Sequence, residues 1–354
     1  MDDIVSGFQA RIAAAAAART PLRIRAGGTK DFYGASSEGE LLDVAAYRGI
    51  VDYEPKELVL TVRAGTPLDE IERALEADGQ MLPFEPPHFG AGATIGGTVA
   101  AGLSGPRRAF TGAVRDFVLG TRIIDGKGQD LSFGGRVIKN VAGYDVSRLM
   151  AGAFGMLGVL LDISFKVLPR PAEETTLRFA MDEVRAIETM NRWMGMPLPL
   201  SATYWHHGVL YIRISGSPAG VAAARAKLGG EEHPGCAAFW RDVREQRTAF
   251  FGGGDGALWR LSVPSTAAPL LSGSHQAIEW GGALRWLRSQ DRDAAAVRAA
   301  AAAAGGHATL FRGGDKSAGV FQPLAEGVAA LQRRLKDTFD PADIFNPGRM
   351  DNFR

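Results

Sequence analysis

The chain has 354 residues, enough for two or three lobes, each with its own apolar core. Its 40 Lys plus Arg nearly cancel 39 Asp plus Glu, and the formal charge of +1 supplies no field to draw nucleic acid or an anionic membrane. The lone cysteine, Cys236, excludes an intrachain disulfide and an iron–sulfur cluster and offers zinc a single thiolate, so a reducing, cytoplasmic compartment is expected.

The acidic start Met1-Asp2-Asp3 leads into an alanine run, Ala13 to Ala18, that reads as a surface helix packed on its own protein rather than a secretory signal. The most apolar later stretch, Met156 to Leu161, stops at Asp162, far short of a membrane span, so any membrane association is expected to come through a partner. Leu22-Arg23-Ile24-Arg25 alternates as a strand and runs into the tight turn Ala26-Gly27-Gly28-Thr29-Lys30. A second strand over Leu58–Val62 precedes a helix with Thr66 as cap, Pro67 in its first position, an apolar stripe of Leu68, Ile71 and Leu75, and Gly79 as its stop.

From Glu85 to Gly102 prolines give way to residues with almost no side chain, so this backbone is able to approach another surface closely. Phe117 to Gly128 reads as a hairpin turning near Asp125-Gly126. Arg136 to Asp145 reads as an irregular loop, Val146 to Met150 as a short helical piece and Gly158 to Val167 as a strand. Pro169-Arg170-Pro171 marks a boundary near residue 172.

The remainder reads as a smaller α+β lobe with helices over Asp182–Trp193, Pro218–Lys227 and Asp293–Ala304. Its strands are Gly208–Ser215, Trp259–Val263, Ala283–Leu287 and His307–Phe311. That order suits helices on one face of an antiparallel sheet. The run Leu324–Phe339, carrying Leu331 and Leu335, reads as an amphipathic helix, and Asp340 to Arg349 as a structured turn.

Three loops offer chemistry. Gly27, Gly28, Thr29 and Lys30 form either an ordinary turn or a nest of backbone N–H groups for an anion. Thr94, Gly96, Gly97 and Thr98 form either a second nest or a tightly packed small-residue helix. Ile138 and Asn140 lie in a loop able to border a flat ring, or in a surface loop held by Asp145 pairing with Lys139 or Arg148. The six histidines show no metal-ligand spacing, so no metal site is expected. His206 and His207, if both on a strand, face opposite sides. Arg213, Arg260 and Arg285 are candidates to grip a carboxylate or are solvent-facing. No residue reads as catalytic.

Taken together, Arg25 to Lys30, Gly92 to Gly97, Val137 to Asp145, Gly152 to Gly158 and Phe339 to Gly348 give a pattern that resembles the FAD-binding family of vanillyl-alcohol oxidase and p-cresol methylhydroxylase. Within that family the pattern is most similar to the E-type subunits of bacterial glycolate oxidases. The resemblance implies an α+β protein in three parts. Residues 1–172 form a PCMH-type FAD-binding domain of two α/β subdomains, 173–323 a reduced α+β cap, and 324–354 a segment returning to the FAD domain. It assigns FAD to Gly27, Gly28, Thr29, Lys30, Thr94, Gly96, Gly97, Ile138 and Asn346, alongside Thr98 and Asn140 from the loop chemistry above. Thr29 or Lys30 stands where covalent relatives carry histidine, which implies non-covalent FAD. No Gly-Glu-His-Gly stretch occurs, which implies that oxidation of a small 2-hydroxy acid centres on a larger, FAD-containing D-type subunit, with an iron–sulfur subunit carrying electrons onward. A stand-alone dehydrogenase using Tyr204, His206 or His307, and a flavin-fold scaffold without catalysis, are the alternatives.

Overall fold

The computed structural model describes residues 2–135, 145–252, 256–271, 275–290 and 292–350. Its first helix, Asp2–Ala18, buries Val5, Phe8, Ile12 and Ala15 at intervals of three to four, one stripe of the helix. That stripe shares a core with Leu22, with Leu42 and, from the far end of the chain, with Ile344 and Phe345. Leu22 belongs to a two-stranded parallel sheet, Leu22–Arg25 beside Glu40–Asp43. Leu22 N donates to Ile344 O at 2.7 Å and Asn346 N donates to Leu22 O at 2.9 Å, so the C-terminal segment completes a lobe that the N-terminus begins.

A five-stranded antiparallel sheet forms the second lobe, in the spatial order Ile50–Glu54, Val59–Arg63, Val159–Lys166, Val118–Ile124, Asp130–Gly134. Helices Leu68–Ala77 and Ile95–Ala101 pack Leu68, Ile71, Leu75, Ile95 and Val99 into its core. Each such fully buried aliphatic side chain contributes roughly 1.5–3 kcal/mol. The first of these helices begins one residue later than its sequence suggests. Thr66 is not its cap, because the Thr66 hydroxyl donates to Arg63 O at 2.6 Å and accepts Gly49 N–H at 2.8 Å, and Pro67 takes the cap position. The expected hairpin is present, its turn held by the buried Asp125 carboxylate, which accepts Lys127 N–H and Gln129 N–H at 2.9 and 2.8 Å.

From Glu173 onward the chain enters an eight-stranded antiparallel sheet. Its spatial order is Glu231–Glu232, Glu173–Ala180, Val209–Gly216, Leu200–His206, His275–Glu279, Leu284–Ser289, Ala257–Ser262, His307–Arg312. The two-residue period of its strands sorts the side chains. Leu210, Ile212, Ile278, Trp259, Leu261 and Leu287 meet the helices Glu183–Met194, Pro218–Leu228 and Ala294–Ala303. Tyr204, Ala277, Leu258, Leu284 and Trp286 face the opposite way and join Tyr33, Ala101, Leu103 and Phe154 of the N-terminal half in one aromatic core.

His207 departs from the strand reading. The strand ends at His206, and His207 sits in the following turn at φ 49°, with its ring centroid 6.0 Å from that of His206. The C-terminal helix, Glu326–Phe339, also departs from the expected stripe, since Leu331 is half exposed. Its last turn is the anchor: Phe339 is buried, and buried Lys336 Nζ donates to Asp340 Oδ2 at 2.6 Å and to the Met156 and Phe345 carbonyls at 3.0 Å. No helix among the described residues is long and apolar enough to cross a membrane.

Candidate functional site

The strand Leu22–Arg25 delivers the chain into Ala26-Gly27-Gly28-Thr29-Lys30. Gly28 adopts φ 70°, where a side chain is strained. Gly27 lies against the second glycine loop so closely that a Cβ there would overlap the carbonyl oxygen of Gly92. Two residues on, Thr94 caps the helix Ile95–Ala101, its Oγ1 accepting the Gly97 N–H at 3.2 Å. The two loops, with Asn346 and Arg349 from the C-terminal return, enclose a cleft of about 270 Å³.

Of the residues singled out in the sequence, Gly27, Gly28, Thr29, Lys30, Thr94, Gly97 and Asn346 line this one cleft. Gly96 and Thr98 stand outside it. The Gly96 N–H donates to Ala64 O at 2.8 Å, and a Cβ on Gly96 would lie 2.7 Å from that of Ala64, so this glycine lets the helix seat on the sheet. Thr98 is fully buried and its hydroxyl has no hydrogen-bond partner among the described residues. Ile138 and Asn140 lie outside the described residues. Asp145, the first described residue after them, pairs with Arg148 at 3.0 Å.

The donor set of the cleft suits a diphosphate. The N–H groups of Gly27, Gly28, Thr29 and Lys30 carry no hydrogen bond to any described residue, leaving four consecutive donors for an anion. Arg23, Arg25, Lys30 and Arg349 bring positive charge to the walls, and Arg25 is partly neutralised by Asp31 at 2.6 Å. Lys30 is buried, and desolvation lowers its pKa to about 8 against the opposing pull of Glu245. The lining also includes Ala100, Ala101 and Phe154, whose small or flat surfaces leave room for a planar group.

Asn346 and Arg349 act on the cleft by holding its walls. Asn346 Oδ1 accepts Ile24 N–H at 2.8 Å while its Nδ2 donates to Phe154 O at 2.6 Å, which pins the strand before the first loop to the Gly152–Gly158 turn. Arg349 donates to the carbonyls of Asp31, Tyr33 and Ala35 at 3.1, 2.6 and 2.8 Å, stapling the segment after that loop. Arg349 was not legible as a site residue; the only signal was its place after Asn346-Pro347-Gly348.

A family model described as an FAD binding domain matches residues 6–134, which include both glycine loops. The glycolate oxidase subunit GlcE of Escherichia coli (strain K12) is 51% identical over 332 residues, covering 94% of this chain and 93% of that protein. The chain belongs to this E-type subunit family of FAD-binding oxidoreductases. The glycolate oxidase subunit GlcD of Bacillus subtilis (strain 168) is 31% identical over 48% of this E-type chain, spanning 36% of GlcD. Among solved structures, an alkyldihydroxyacetonephosphate synthase superposes with a TM-score of 0.66 at 16% identity, covering 96% of this chain and 74% of that one, a shared fold.

The other residues singled out in this E-type chain fall in three places. Tyr204 is buried with its hydroxyl 2.9 Å from Thr248 Oγ1, and burial raises its pKa, so the phenol stays protonated. His206 Nδ1 meets Gln276 O at 3.0 Å and burial lowers its pKa, while His307 opens its strand exposed to solvent. Arg213 is spent on Glu85 at 2.8 Å, part of a network of buried Arg107 and Arg213 with Glu85 and the more exposed Glu174 that joins the two halves. Arg285 faces the helices and donates to Gly282 O and Ala267 O at 2.6 and 2.9 Å, whereas Arg260 faces the N-terminal half. Asp69, Glu72 and His88 cluster, but each imidazole nitrogen already meets a carboxylate, at 3.2 and 3.1 Å, and Arg244 holds Glu72 at 3.2 Å, an arrangement of ion pairs.

Proposed function

We propose that this chain is the FAD-binding E-type subunit of a glycolate oxidase complex, which oxidises glycolate to glyoxylate. The observation that carries the reading is that Gly27 to Lys30, whose four N–H groups bond to no described residue, line a basic cleft, within a chain of which 94% aligns with GlcE at 51% identity. Residues 1–172 form the FAD-binding unit, 173–323 the reduced cap and 324–354 the return that closes it. Gly27, Gly28, Thr29 and Lys30 hold the diphosphate, and Thr94 and Gly97 set the facing wall. Asn346 ties the strand before the first loop to the Gly152–Gly158 turn, and the ring is assigned to Ile138 and Asn140. Bound flavin supplies the two-electron acceptor that the side chains lack. Attachment is non-covalent, because no histidine stands in the first loop.

The partners of the reading are a larger, FAD-containing D-type subunit related to GlcD and an iron–sulfur subunit. One cysteine cannot supply a cluster from this chain. Association with the cytoplasmic face of a membrane comes through those partners. The decisive experiment measures visible absorption and acid-released flavin on the purified chain, then repeats the spectrum anaerobically with glycolate. FAD released at about one per chain, bleached by glycolate once the larger subunit is supplied, is the expected result. A colourless chain that takes up no added FAD removes the assignment.

A further inference from the structure

The carboxylate of Glu245 carries the cap's hold on the FAD cleft. Glu245 ends the helix Cys236–Arg244, where the helix carbonyls disfavour a negative charge, and its side chain is only 3% exposed. A carboxylate buried at that end of a helix needs donors from elsewhere. They come chiefly from the other half of the chain. Oε1 and Oε2 both accept the His88 N–H at 3.2 Å, and Oε2 accepts the Phe89 N–H at 2.8 Å, while neighbouring Arg244 Nε donates to Oε1 at 2.8 Å.

His88 and Phe89 lead directly into the second glycine loop. Phe89 sits at φ 56° and Glu85 at φ 44°, conformations that residues with side chains keep only where their surroundings impose them. The cap acts on both ends of this stretch: Arg213 grips the Glu85 carboxylate at 2.8 Å, and Glu245 fixes the two N–H groups. On its other side the stretch meets the first glycine loop. Lys30 Nζ donates to His88 O at 3.4 Å, a Cβ on Gly90 would lie 3.5 Å from Thr29 Cγ2, and Gly92 O lies against Gly27. A shift at His88 and Phe89 therefore moves the wall that faces Gly27 to Lys30.

We propose that Glu245 is a positioning residue for the cofactor: from the cap it sets the spacing of the two glycine loops, and so links the seating of the cap to the hold on the FAD diphosphate. Glu245 does not line the cleft and acts through His88, Phe89 and Lys30. The linkage runs both ways, so bound FAD steadies the cap as the cap steadies the cleft. The identity of the ligand rests on the function proposed above; the hold of Glu245 on the loop does not.

The test is fluorescence titration of FAD into the full-length apoprotein, with amide hydrogen exchange over residues 86–93, in wild type, Glu245→Ala and Glu245→Gln. Glu245→Ala removes the acceptor of two N–H groups, so exchange at His88 and Phe89 is expected to rise, and FAD affinity to fall, by about tenfold or more. Glu245→Gln keeps an oxygen for both N–H groups, so its exchange stays near wild type and its affinity at pH 6.5 clearly above that of Glu245→Ala. It loses the charge, which favours the Lys30 ammonium. The decline of affinity as Lys30 deprotonates is therefore expected to begin at lower pH in Glu245→Gln than in wild type, a shift that a merely structural contact does not produce. The substitution leaves in place the other charged or titratable groups there: Arg23, Arg25, Asp31 and Arg349 on the cleft, and Glu72, His88 and Arg244 beside Glu245.

Equal FAD affinity in Glu245→Ala and wild type, unchanged exchange at His88 and Phe89, or a Glu245→Gln as weak as Glu245→Ala overturns the proposal. Should Glu245→Ala not fold, the pH profile of Glu245→Gln decides, and one superimposed on wild type overturns it. A wild-type chain that takes up no FAD sinks the flavin reading and this role with it, whereas FAD bound equally by wild type and Glu245→Ala sinks this role alone.

Discussion

Gly27 packs against the carbonyl of Gly92, so at this point the two glycine loops touch through backbone. Any side chain at position 27 forces them apart and widens the cleft where Thr29 and Thr94 face a common space. Gly27→Ala is expected to lower bound FAD by at least tenfold while far-ultraviolet circular dichroism stays close to wild type. Released-flavin quantification checks it; full occupancy would show that the loops do not need their close approach.

Asn346 belongs to the C-terminal segment yet serves the N-terminal strand, accepting from Ile24 and donating to Phe154. Asn346→Ala leaves a partly buried N–H and a buried carbonyl unpaired at once, a loss of about 2–6 kcal/mol at roughly 1–3 kcal/mol per unsatisfied group. The midpoint of urea unfolding should fall accordingly, with flavin lost at lower denaturant than the global transition. Asn346→Asp is expected to be intermediate, since one acceptor survives and the donor does not.

What the sequence discloses follows the range of the forces involved. Local signals are legible: the alanine helix, the Leu68, Ile71 and Leu75 stripe, the hairpin at Asp125 and the glycine loops each depend on residues within a few positions. The strand Leu200–His206 is not, because Ser201 and Thr203 interrupt its apolar pattern. Their partners, Arg213 and the Gly281 N–H, arrive from elsewhere in the chain. His275–Glu279 is hidden for a similar reason, its Glu279 made tolerable by Trp286. Likewise Gly96 and Gly97 look alike in sequence, and only the position of Ala64 behind one of them separates a packing glycine from a cleft glycine.

Glu279 gives the stability of the protein a pH dependence opposite to that of a salt-bridged carboxylate. Its folded pKa of about 7 lies above its ordinary value of 4.5, with burial the main cause, Glu85 adding to it and Trp286 and Arg260 opposing it. Tyr204 is a further titratable group near it, whose own pKa Glu279 helps to raise. Between pH 4.5 and 7 the folded chain keeps a proton that the unfolded chain has released, so this group's contribution declines as pH rises through that window and is flat above it. The loss is on the order of 3 kcal/mol at 1.36 kcal/mol per pH unit. Glu279→Gln should therefore stabilise the protein at pH 8 and leave it nearly unchanged at pH 4. Denaturant melts at the two pH values decide it; an equal effect at both would show that burial does not hold the proton on Glu279.

Lys30 carries the corresponding prediction for the cofactor. Burial holds its ammonium at a pKa of about 8, so below that pH it is a cation against the cleft wall and above it a neutral amine. An anionic diphosphate favours the charged form and raises the pKa in the complex, so affinity for FAD is level below pH 8 and falls as pH climbs from 8 toward the raised value. In Lys30→Met the affinity is lower throughout and this decline is absent, whereas Lys30→Arg keeps the charge and loses the decline without losing the affinity at neutral pH. Fluorescence titration of FAD into apoprotein across pH 6.5–9.5 separates the three. A wild-type curve parallel to that of Lys30→Met would mean that Lys30 supports the loop through Thr29 and the His88 carbonyl, each 3.4 Å from Nζ, and leaves the phosphates to the backbone.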